Sequence, residues 1–373
     1  MDSQSEITRD EWNDEKQVEE EDTGSIATPF DPREVRIERQ SVVIPNLRRR
    51  LENNEINLQP KFQRFADIWT AKAQSQLIES LLIKVPLPAF YMDARDDECW
   101  DVIDGLQRIT TIKKFILDES LRLSNLEFLV EYNGCTFSDL PRTLQRRIDE
   151  TELTFYLLRP GTPEEVMFNI FKRVNTGGAP LNPQEIRHAL YQGAATSLLE
   201  SISEDRRYRQ SPAALKKERM ADRELILRGL SFLISPYGEY NASDLDAHLN
   251  SAMKSLNRKW PPVLDRLQED FFVGLERAQR LFGDHAFRKP NPDFMGKRNR
   301  PLSKSLFEAL LVSLARAVNF EILMKNRKSV IQKFVELEKD SVFMSSITQG
   351  TYQKDSVVER FSKLEKLFEG FVQ

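Results

Sequence analysis

Short apolar runs alternate with helix-like patterns over residues 35–200. Brief runs bounded by turn residues are typical of buried strands, whereas apolar residues that recur every three or four positions are typical of amphipathic helices. The pattern predicts these strands: Val35–Arg39, Ala89–Tyr91, Trp100–Asp104, Leu126–Tyr132 and Leu153–Leu158. It predicts these helices: Ile44–Asn53, Ala71–Ile83, Gln107–Asp118, Arg142–Asp149, Pro163–Val174 and Pro183–Gln192. The mixture is typical of an α+β or α/β domain, and we predict an α+β domain over residues 34–200.

The pattern becomes almost entirely helical after about residue 200. Apolar residues recur at helical spacing in these segments: Ala221–Leu233, Leu245–Leu256, Val263–Phe282, Ser305–Leu323 and Ser329–Leu337. Strand-like alternation is rare here, so we predict a mostly α-helical domain over residues 201–373. A loop between two of these helices, Phe287–Leu302, is basic and contains Lys297, Arg298 and Arg300.

Two helix starts carry a recognisable capping signature. Thr162-Pro163-Glu164-Glu165 and Asn182-Pro183-Gln184-Glu185 each place a cap residue, a proline in the first turn and a glutamate three residues after the cap. Such a glutamate can accept a hydrogen bond from the backbone of the cap residue, which fixes the beginning of the helix.

Charge divides the chain unevenly. Residues 1–22 hold ten acidic residues against Arg9 and Lys16, a charge of −8, and because the whole chain carries −4 the remainder carries +4. The first 33 residues are acidic and poor in apolar residues, so we expect a disordered, solubilising tail. The mildly basic remainder permits nucleic-acid binding without requiring it.

Composition excludes several classes of protein. The 373 residues are 40% hydrophobic and 30% charged, which suits a soluble protein, and no apolar stretch is long enough to span a membrane. Cys99 and Cys135 have neither metal-ligand nor redox spacing, and the acidic N-terminus is unlike a signal peptide. We therefore expect a cytoplasmic protein without a membrane partner.

The segment from Trp100 to Phe115 is the richest in candidate chemistry. It reads as a short strand, an Asp104-Gly105 turn and a helix whose first turns contain Gln107, Arg108, Thr110 and Thr111. The free N–H groups of a helix N-terminus attract phosphate, and an arginine adds a forked donor. The aspartate would repel a phosphate, so it fits better as a Mg²⁺ ligand, a group that orients water or a partner for a ribose hydroxyl. An ordinary strand–helix turn with a solvated arginine explains the same residues equally well.

Two further polar stretches precede and follow this turn. Gln63 and Arg64 lie before Trp69 in an extended stretch with aromatic residues, and Arg173 and Asn175 lie beside a Gly-Gly turn at the end of a helix. Each has a plain alternative, as a surface arginine beside core aromatics or as a common helix C-terminus. On the helix after residue 220, Asp222, Arg223, Glu224 and Arg228 are better explained as a cap and a charged helix face.

Several other chemistries lack their sequence signature. The three histidines, His188, His248 and His285, are far apart and none has a His or Cys neighbour at ligand spacing. A zinc site and a His-Asn-His nuclease site are therefore not expected. The chain also lacks the P-loop motif of many NTPases and the GxSxG motif of hydrolases.

The ordered set of motifs resembles the GmrSD-type family, named for a type IV restriction enzyme. The resemblance rests on Gln63-Arg64 with Trp69, on the run from Ile103 to Arg108, and on Phe171 with Asn175, Gly178 and Leu181, and it is strongest over residues 37–192. It implies a ParB/sulfiredoxin-like fold, nucleotide binding and hydrolysis, and a role in bacterial defence against phage in which DNA is sensed or attacked. The segment Ala221–Phe232 also resembles a helical part of the family.

The same resemblance implies roles for individual residues. Asp104, Gln107 and Arg108 would be catalytic, and by its own chemistry Asp104 would either hold a Mg²⁺ ion or position water. The residues expected to bind a nucleoside triphosphate are Gln63, Arg64, Gly105, Thr110, Thr111, Arg173 and Asn175. Separately, the positive charges expected to contact DNA are Arg48, Arg49, Arg50, Lys297, Arg298 and Arg300.

Two departures from the family pattern keep alternatives open. Leu106 replaces the first Gln of the usual Gln-Gln pair, so either a polar contact is lost or the position faces the core. The His-Asn-His nuclease domain found in many members is not recognisable here, so cutting of DNA would require either weak nuclease activity in this domain or a partner, such as a separate nuclease or DNA-modification protein. The alternative function is a non-catalytic module that binds DNA or a protein partner through a degenerate pocket. Homo-oligomerisation is also left open.

Overall fold

The computed structural model describes residues 36–58, 69–96, 98–174, 181–242, 244–293 and 301–371. The predicted acidic tail therefore lies outside the described residues. The chain divides into two compact units, whose described parts are residues 36–190 and 191–371. None of the described helices combines the length and apolar character needed to cross a membrane.

A five-stranded mixed sheet organises the described part of the first unit. Its strands are β1 (Ile37–Val43), β2 (Ile56–Asn57), β3 (Phe90–Asp93), β4 (Trp100–Asp104) and β5 (Glu152–Leu158). Their order across the sheet is β1-β5-β3-β4-β2. Strand β5 runs antiparallel to β1 and parallel to β3, while β4 runs antiparallel to β3 and parallel to β2. This arrangement, together with the helices, confirms the predicted α+β class.

Six helices accompany the sheet, and four of them share one core with it. The helices are α1 (Ile44–Glu52), α2 (Ala71–Leu82), α3 (Leu106–Ile116), α4 (Arg142–Asp149), α5 (Glu164–Val174) and α6 (Pro183–Leu190). Apolar residues of α1 to α4 and of all five strands form a single buried cluster. Val102 belongs to that cluster, whereas its neighbour Ile103 is buried outside it, as strand alternation requires. Helix α5 contacts β4.

The capping signature at Asn182 is confirmed in detail. The side-chain oxygen of Asn182 accepts from the N–H of Glu185 at 2.8 Å, and the carboxylate of Glu185 accepts from the N–H of Asn182 at 2.8 Å. At the other predicted start, the hydroxyl of Thr162 accepts from the N–H of Arg36 and thereby ties the start of α5 to the chain that enters β1.

The predicted strand Leu126–Tyr132 is wrong. Its backbone donors bind a side chain instead of a neighbouring strand, since the Glu79 carboxylate on α2 accepts the N–H groups of residues 127, 128 and 129 at 2.7–3.0 Å. The segment then ends in a 3₁₀ turn, Val130–Tyr132. Burial alone would raise the pKa of Glu79, but these three hydrogen bonds lower it below its usual value. The apolar run had suggested a strand, whereas Phe128 is 68% exposed at the tip of this loop.

The described part of the second unit is built from helices. They are α7 (Ala194–Glu204), α8 (Arg206–Arg209), α9 (Ala221–Ile234), α10 (Leu245–Asn257), α11 (Pro261–Phe282), α12 (Lys304–Arg316), α13 (Phe320–Lys325), α14 (Arg327–Glu336), α15 (Ser341–Ser346) and α16 (Lys354–Glu369). Helix α12 is buried on every side over residues 305–314 and contacts α9, α11 and α16. A Cβ atom on Gly274 of α11 would lie 2.3 Å from the carbonyl oxygen of Leu311, so glycine allows α11 and α12 to pack closely.

The single helix predicted at Ser305–Leu323 is also wrong, because it is two helices. Asn319 adopts a left-handed conformation with φ of 59°, which breaks the chain between α12 and α13. The guanidinium of Arg277 binds the carbonyl oxygens of residues 314, 315 and 317 at 2.8–3.2 Å, and so satisfies the end of α12. Helical spacing continues through the break, so periodicity alone did not reveal it.

Candidate functional site

The predicted strand-turn-helix is present and consists of β4, the turn at Asp104 and Gly105, and α3. Gly105 follows Asp104 with φ of 101°, a left-handed conformation that glycine adopts without strain. A Cβ atom at this position would lie 2.4 Å from Cδ1 of Phe90, a contact that real side chains do not make. Both the backbone angle and the Phe90 ring therefore require glycine at residue 105.

Arg108 turns back from the first turn of α3 and is held on several sides. Its Nη2 donates to a carboxylate oxygen of Asp104 at 2.8 Å and to the carbonyl oxygen of Ala89 at 3.1 Å. Its Nη1 donates to the carbonyl oxygen of Pro88. The guanidinium also lies 4.4 Å from the centre of the Phe90 ring. A charged donor that is only 8% exposed is thus satisfied by a carboxylate, two carbonyls and an aromatic face.

Burial dominates the electrostatics of the Asp104–Arg108 pair. Burial raises the pKa of Asp104 above its usual value, although Arg108 and the N–H of Gly105 act to lower it. Burial likewise lowers the pKa of Arg108, against the opposing effect of Asp104. Each side chain stabilises the charged form of the other, so the loss of either would leave a costly charge at this turn.

The N-terminus of α3 has no side-chain cap, since Gly105 occupies the cap position. The first N–H groups of a helix have no partner within the helix, and glycine at the cap position has no side chain that could accept from them. Leu106 is only 5% exposed and belongs to the core cluster, so in this chain residue 106 faces the core. The departure from the family pattern at Leu106 therefore removes no group that faces outward from the turn.

The two threonines of this helix are buried. The hydroxyl of Thr111 donates to the carbonyl oxygen of Gln107 at 2.7 Å, within the helix itself. The hydroxyl of Thr110 is buried and has no hydrogen-bond partner among the residues that the structure describes. The assignment of both threonines to nucleotide binding stays a prediction.

Gln107 connects α3 to the residue that ends the first polar stretch. Its side-chain oxygen accepts from the N–H of Trp69 at 3.3 Å. The buried side chain of Gln74, on α2, donates to the carbonyl oxygen of Trp69 at 3.2 Å. The backbone of Trp69 is thus held by two glutamine side chains, one from each helix. Trp69 and Gln107, which belong to separate predicted motifs, are neighbours in the fold.

Four further residues were predicted to bind the nucleotide, and one of them, Arg173, lies among the described residues. Arg173 is exposed near the end of α5, the helix that contacts β4. Gln63, Arg64 and Asn175 lie outside the described residues. Convergence of all four on the turn at Asp104 stays a prediction.

The arginines predicted to bind DNA lie together on α1, and each has a partner within the chain. Arg48 pairs with Glu52 at 2.9 Å, and Arg49 donates to the side chain of Asn46 at 3.3 Å. Arg50 pairs with Glu55 at 3.0 Å and lies over the ring of Trp100 at 3.9 Å. Arg48 and Arg49 are exposed, whereas Arg50 is half-buried. The other predicted DNA contacts, Lys297, Arg298 and Arg300, lie outside the described residues.

The residues that sequence reasoning missed are those that hold Arg108 and Trp69 in place. Phe90 and the carbonyls of residues 88 and 89 come from the chain that enters β3, and Gln74 comes from α2. None carries a motif, and carbonyl acceptors have no sequence signature. Within the described residues, no group of three or more His, Cys, Asp or Glu side chains is arranged to hold a metal ion.

The charged segment at the start of α9 contains an arginine that is buried rather than surface-exposed. Arg228 on α9 is 1% exposed and pairs with Glu224 at 2.9 Å and with the fully buried Glu308 of α12 at 3.4 Å. Arg360 of α16, also fully buried, binds the other oxygen of Glu308 at 3.0 Å. The expectation of a charged helix face is therefore wrong for Arg228, because two arginines share one buried carboxylate.

Comparison with known proteins assigns the first unit. None of the curated proteins matches the chain. Residues 47–192 match the family described as the GmrSD restriction endonuclease, N-terminal domain, and this range spans the strand-turn-helix and helices α2 to α6. The match confirms the resemblance that the ordered motifs had indicated. Residues 47–192 of this chain are therefore similar to the N-terminal domain of the GmrSD restriction endonuclease family.

Proposed function

We propose that the first unit binds and hydrolyses a nucleoside triphosphate, as a component of a restriction-type defence system against phage that acts on DNA. The family match supports restriction and DNA as the setting. The finer part of the proposal, nucleotide binding and hydrolysis, depends on the geometry at the start of α3.

The uncapped N-terminus of α3 is the observation that carries this proposal. Its N–H groups and helix dipole favour a phosphate group at this turn. The positive φ of Gly105 turns the chain sharply into the helix. The Asp104–Arg108 pair lies at the same turn and supplies charge beside the proposed phosphate position.

We assign Asp104 to water or Mg²⁺ and Arg108 chiefly to the orientation of Asp104. Mg²⁺ is usually held by one or two carboxylates together with substrate phosphates, so a single carboxylate at the turn fits this ion. Bound there, the ion would neutralise charge on the phosphates. Arg108 holds the Asp104 carboxylate in one orientation, and Gln107 fixes Trp69 beside it. The exposed Arg173 and the residues Gln63, Arg64 and Asn175 are proposed as further phosphate or base contacts.

The test is a nucleotide-hydrolysis assay with Mg²⁺, with and without DNA, on the full chain. We expect Asp104→Asn to lower the hydrolysis rate at least about a hundredfold, a loss typical of a group that stabilises transition-state charge. Arg108→Lys should also lower the rate, because an ammonium cannot reproduce the forked contacts to Asp104 and to the two carbonyls.

A matched variant separates chemistry from folding. Asp118→Asn removes a carboxylate that lies just after the C-terminal end of α3, far from Asp104 along the helix, and that pairs with Lys113. It should leave hydrolysis unchanged. Nucleotide binding by Asp104→Asn and Arg108→Ala should be measured by calorimetry on samples whose circular dichroism matches that of the unaltered protein. Unchanged binding and hydrolysis in well-folded variants would refute the assignment.

A second candidate, a non-catalytic module that binds DNA or a protein partner, is favoured by the row of arginines on α1. Their charges face glutamates at Glu52 and Glu55, so only a fraction of the row is free to attract DNA phosphates. The distinguishing result would be DNA binding with a steep dependence on salt in a protein that hydrolyses no nucleotide. The ParB/sulfiredoxin-like fold, a cytoplasmic location, homo-oligomerisation and a separate nuclease or modification protein as partner belong to this proposal as expectations.

A further inference from the structure

A cleft in the second unit is lined by none of the residues predicted to bind nucleotide or DNA. It has a volume of about 160 Å³ and lies among the end of α12, helix α13 and the last turns of α16. Ser313 and Arg316 of α12 line it, with Leu323 of α13 and Glu365, Phe368 and Glu369 of α16. Its walls are mainly apolar, with a few polar groups, which is the usual composition of a small-molecule site.

The hydroxyl of Ser313 is the first sign that the cleft receives a polar ligand. Ser313 is 5% exposed, and its Oγ has no hydrogen-bond partner among the described residues. Buried hydroxyl groups are almost always paired, because an unpaired one loses the hydrogen bonds that water would provide. A ligand with a donor or acceptor against Ser313 would remove that cost.

The charges around the cleft leave a negative surplus. Arg316 donates to the carbonyl oxygens of Phe232 and Leu233, so its charge faces the negative end of helix α9. Glu365 accepts from the hydroxyl of Tyr237, which is a neutral donor. Glu369 is exposed beside it. Two carboxylates and one arginine line the cleft, and the arginine already binds carbonyl oxygens. This balance favours a cationic group on the ligand.

The volume limits the ligand to roughly one ring. An engineered apolar cavity of about 150 Å³ in another protein takes up benzene, so the space here suits one six-membered ring and its first substituents. The apolar surfaces of Leu323 and Phe368 would contact the faces of such a ring. A charged substituent would then extend towards the glutamates at the open side.

We propose that this cleft binds a small aromatic amine: one ring with a polar substituent for Ser313 and an ammonium group for Glu365 and Glu369. The site belongs to the helical unit and is independent of nucleotide binding at α3. It adds a small-molecule ligand to a chain otherwise considered for nucleotide and DNA.

Three probes that differ by one group each test the proposal on the full chain. Tyramine has both the ring hydroxyl and the amine, phenethylamine lacks the hydroxyl, and 4-ethylphenol lacks the amine. We expect tyramine to bind about two- to fivefold more tightly than 4-ethylphenol, the effect of an exposed ion pair. It should bind about two- to tenfold more tightly than phenethylamine, the effect of one hydrogen bond. Titration by calorimetry or by ligand-observed NMR measures these ratios.

Variants of the cleft assign each contact. Ser313→Ala should remove the preference for tyramine over phenethylamine, and Glu369→Gln should reduce its preference over 4-ethylphenol. Ala317→Leu, which fills the cleft, should weaken all three probes. Ser362→Ala on α16 and Glu336→Gln on α14 make the same changes outside the cleft and should alter nothing.

Three results, each sufficient alone, would overturn the proposal, and the last two both concern tyramine. One is the absence of saturable binding by any of the three probes to the unaltered protein. The others are binding of tyramine that is no tighter than that of 4-ethylphenol, and binding of tyramine that survives Ala317→Leu unchanged in a protein with the original melting temperature. Because the assay measures binding to the helical unit, failure here would leave the proposed hydrolysis at Asp104 untouched.

Discussion

Replacement of Glu308 by glutamine should destabilise the helical unit more than any loss of an exposed charge. Glu308 is fully buried, and both of its oxygens bind buried arginines, Arg228 at 3.4 Å and Arg360 at 3.0 Å. Removal of one partner from a buried ion pair costs about 3–5 kcal/mol, since the remaining charge is left in a poorly solvated place. In the variant, Arg228 would still pair with Glu224, and Arg360 would still donate to the carbonyl oxygens of residues 346 and 351. We therefore expect the free energy of unfolding to fall by about 3 kcal/mol, the lower end of this range.

The measurement is amide hydrogen exchange in the unaltered protein and in Glu308→Gln. The slowest amides of α9, α12 and α16 exchange when the unit unfolds, so a loss of about 3 kcal/mol should accelerate them roughly a hundredfold. Glu321→Gln is the matched control, because it breaks an exposed pair with Arg280 that contributes about 0–1 kcal/mol.

A second variant tests the cause of the loss. Arg360→Met removes the arginine left without a carboxylate, so in combination with Glu308→Gln it should cost less than the sum of the two single changes. The reasoning is refuted if Glu308→Gln changes exchange no more than Glu321→Gln does. It is also refuted if the two changes are simply additive, because the arginines would then not depend on the buried carboxylate.

Four further outcomes follow from particular contacts. Burial and the charges of two nearby arginines lower the pKa of His248 to about 4, so the unfolded chain binds its proton first as pH falls. The free energy of unfolding should therefore decline from about pH 6.5 and level off near pH 4, with a loss of up to ~3 kcal/mol. Urea denaturation at a series of pH values measures this decline, and an equally steep decline in His248→Gln would contradict the assignment. The pKa of Glu79 is lowered by backbone hydrogen bonds, so its contribution to stability is present above pH 4.5 and lost below it. Glu79→Gln should lower the free energy of unfolding by about 1.5–3 kcal/mol and accelerate amide hydrogen exchange at residues 127–129. Unchanged exchange at these amides would refute the role of Glu79. Gly105→Ala should cost at least about 1–2 kcal/mol from the left-handed backbone alone, and an unshifted melting temperature would show that the turn relaxes. If duplex DNA binds to α1, Arg49→Ala should reduce the slope of log affinity against log salt by about one, whereas an unchanged slope excludes this arginine from the interface.

Sequence periodicity was sufficient where local and tertiary preferences agree. Strand β4 and helix α4 lie where the pattern predicted them, and the capping box at Asn182 forms with both hydrogen bonds. Periodicity failed where a distant side chain satisfied the backbone. Glu79 took the donors of a predicted strand, and Arg277 took the carbonyls at the end of α12. Such contacts join residues far apart in sequence, so a local pattern contains no trace of them.

The candidate site shows the same division. The turn at Asp104 and Gly105 and the helix after it follow from residue types, because few residues other than glycine accept a positive φ. The partners of Arg108 do not follow, since two of them are carbonyl groups and one is the ring of Phe90. The sequence also allowed two interpretations of Leu106, either the loss of a polar contact or a position that faces the core. Its burial in the core decides that question for this chain, and weakens the case for a degenerate pocket.

The burial of arginines changes how the positive charge of this chain should be interpreted. Residues 23–373 carry a surplus of +4, which at first suggested a surface that attracts DNA. Yet Arg108, Arg228 and Arg360 are almost completely buried, and each uses its guanidinium to bind a carboxylate inside its own unit. Buried charges that are paired in this way contribute little field at the surface, because the partner carboxylate cancels them at short range. With Asp104, Glu224 and Glu308 as their partners, these three arginines form groups that are neutral overall, so the surplus of +4 belongs to other residues and none of the three guanidiniums is a contact for DNA. Affinity for DNA depends instead on exposed basic residues such as Arg48 and Arg49, which already have partners on α1, and for this reason the nucleotide site at α3 is the stronger of the two proposals.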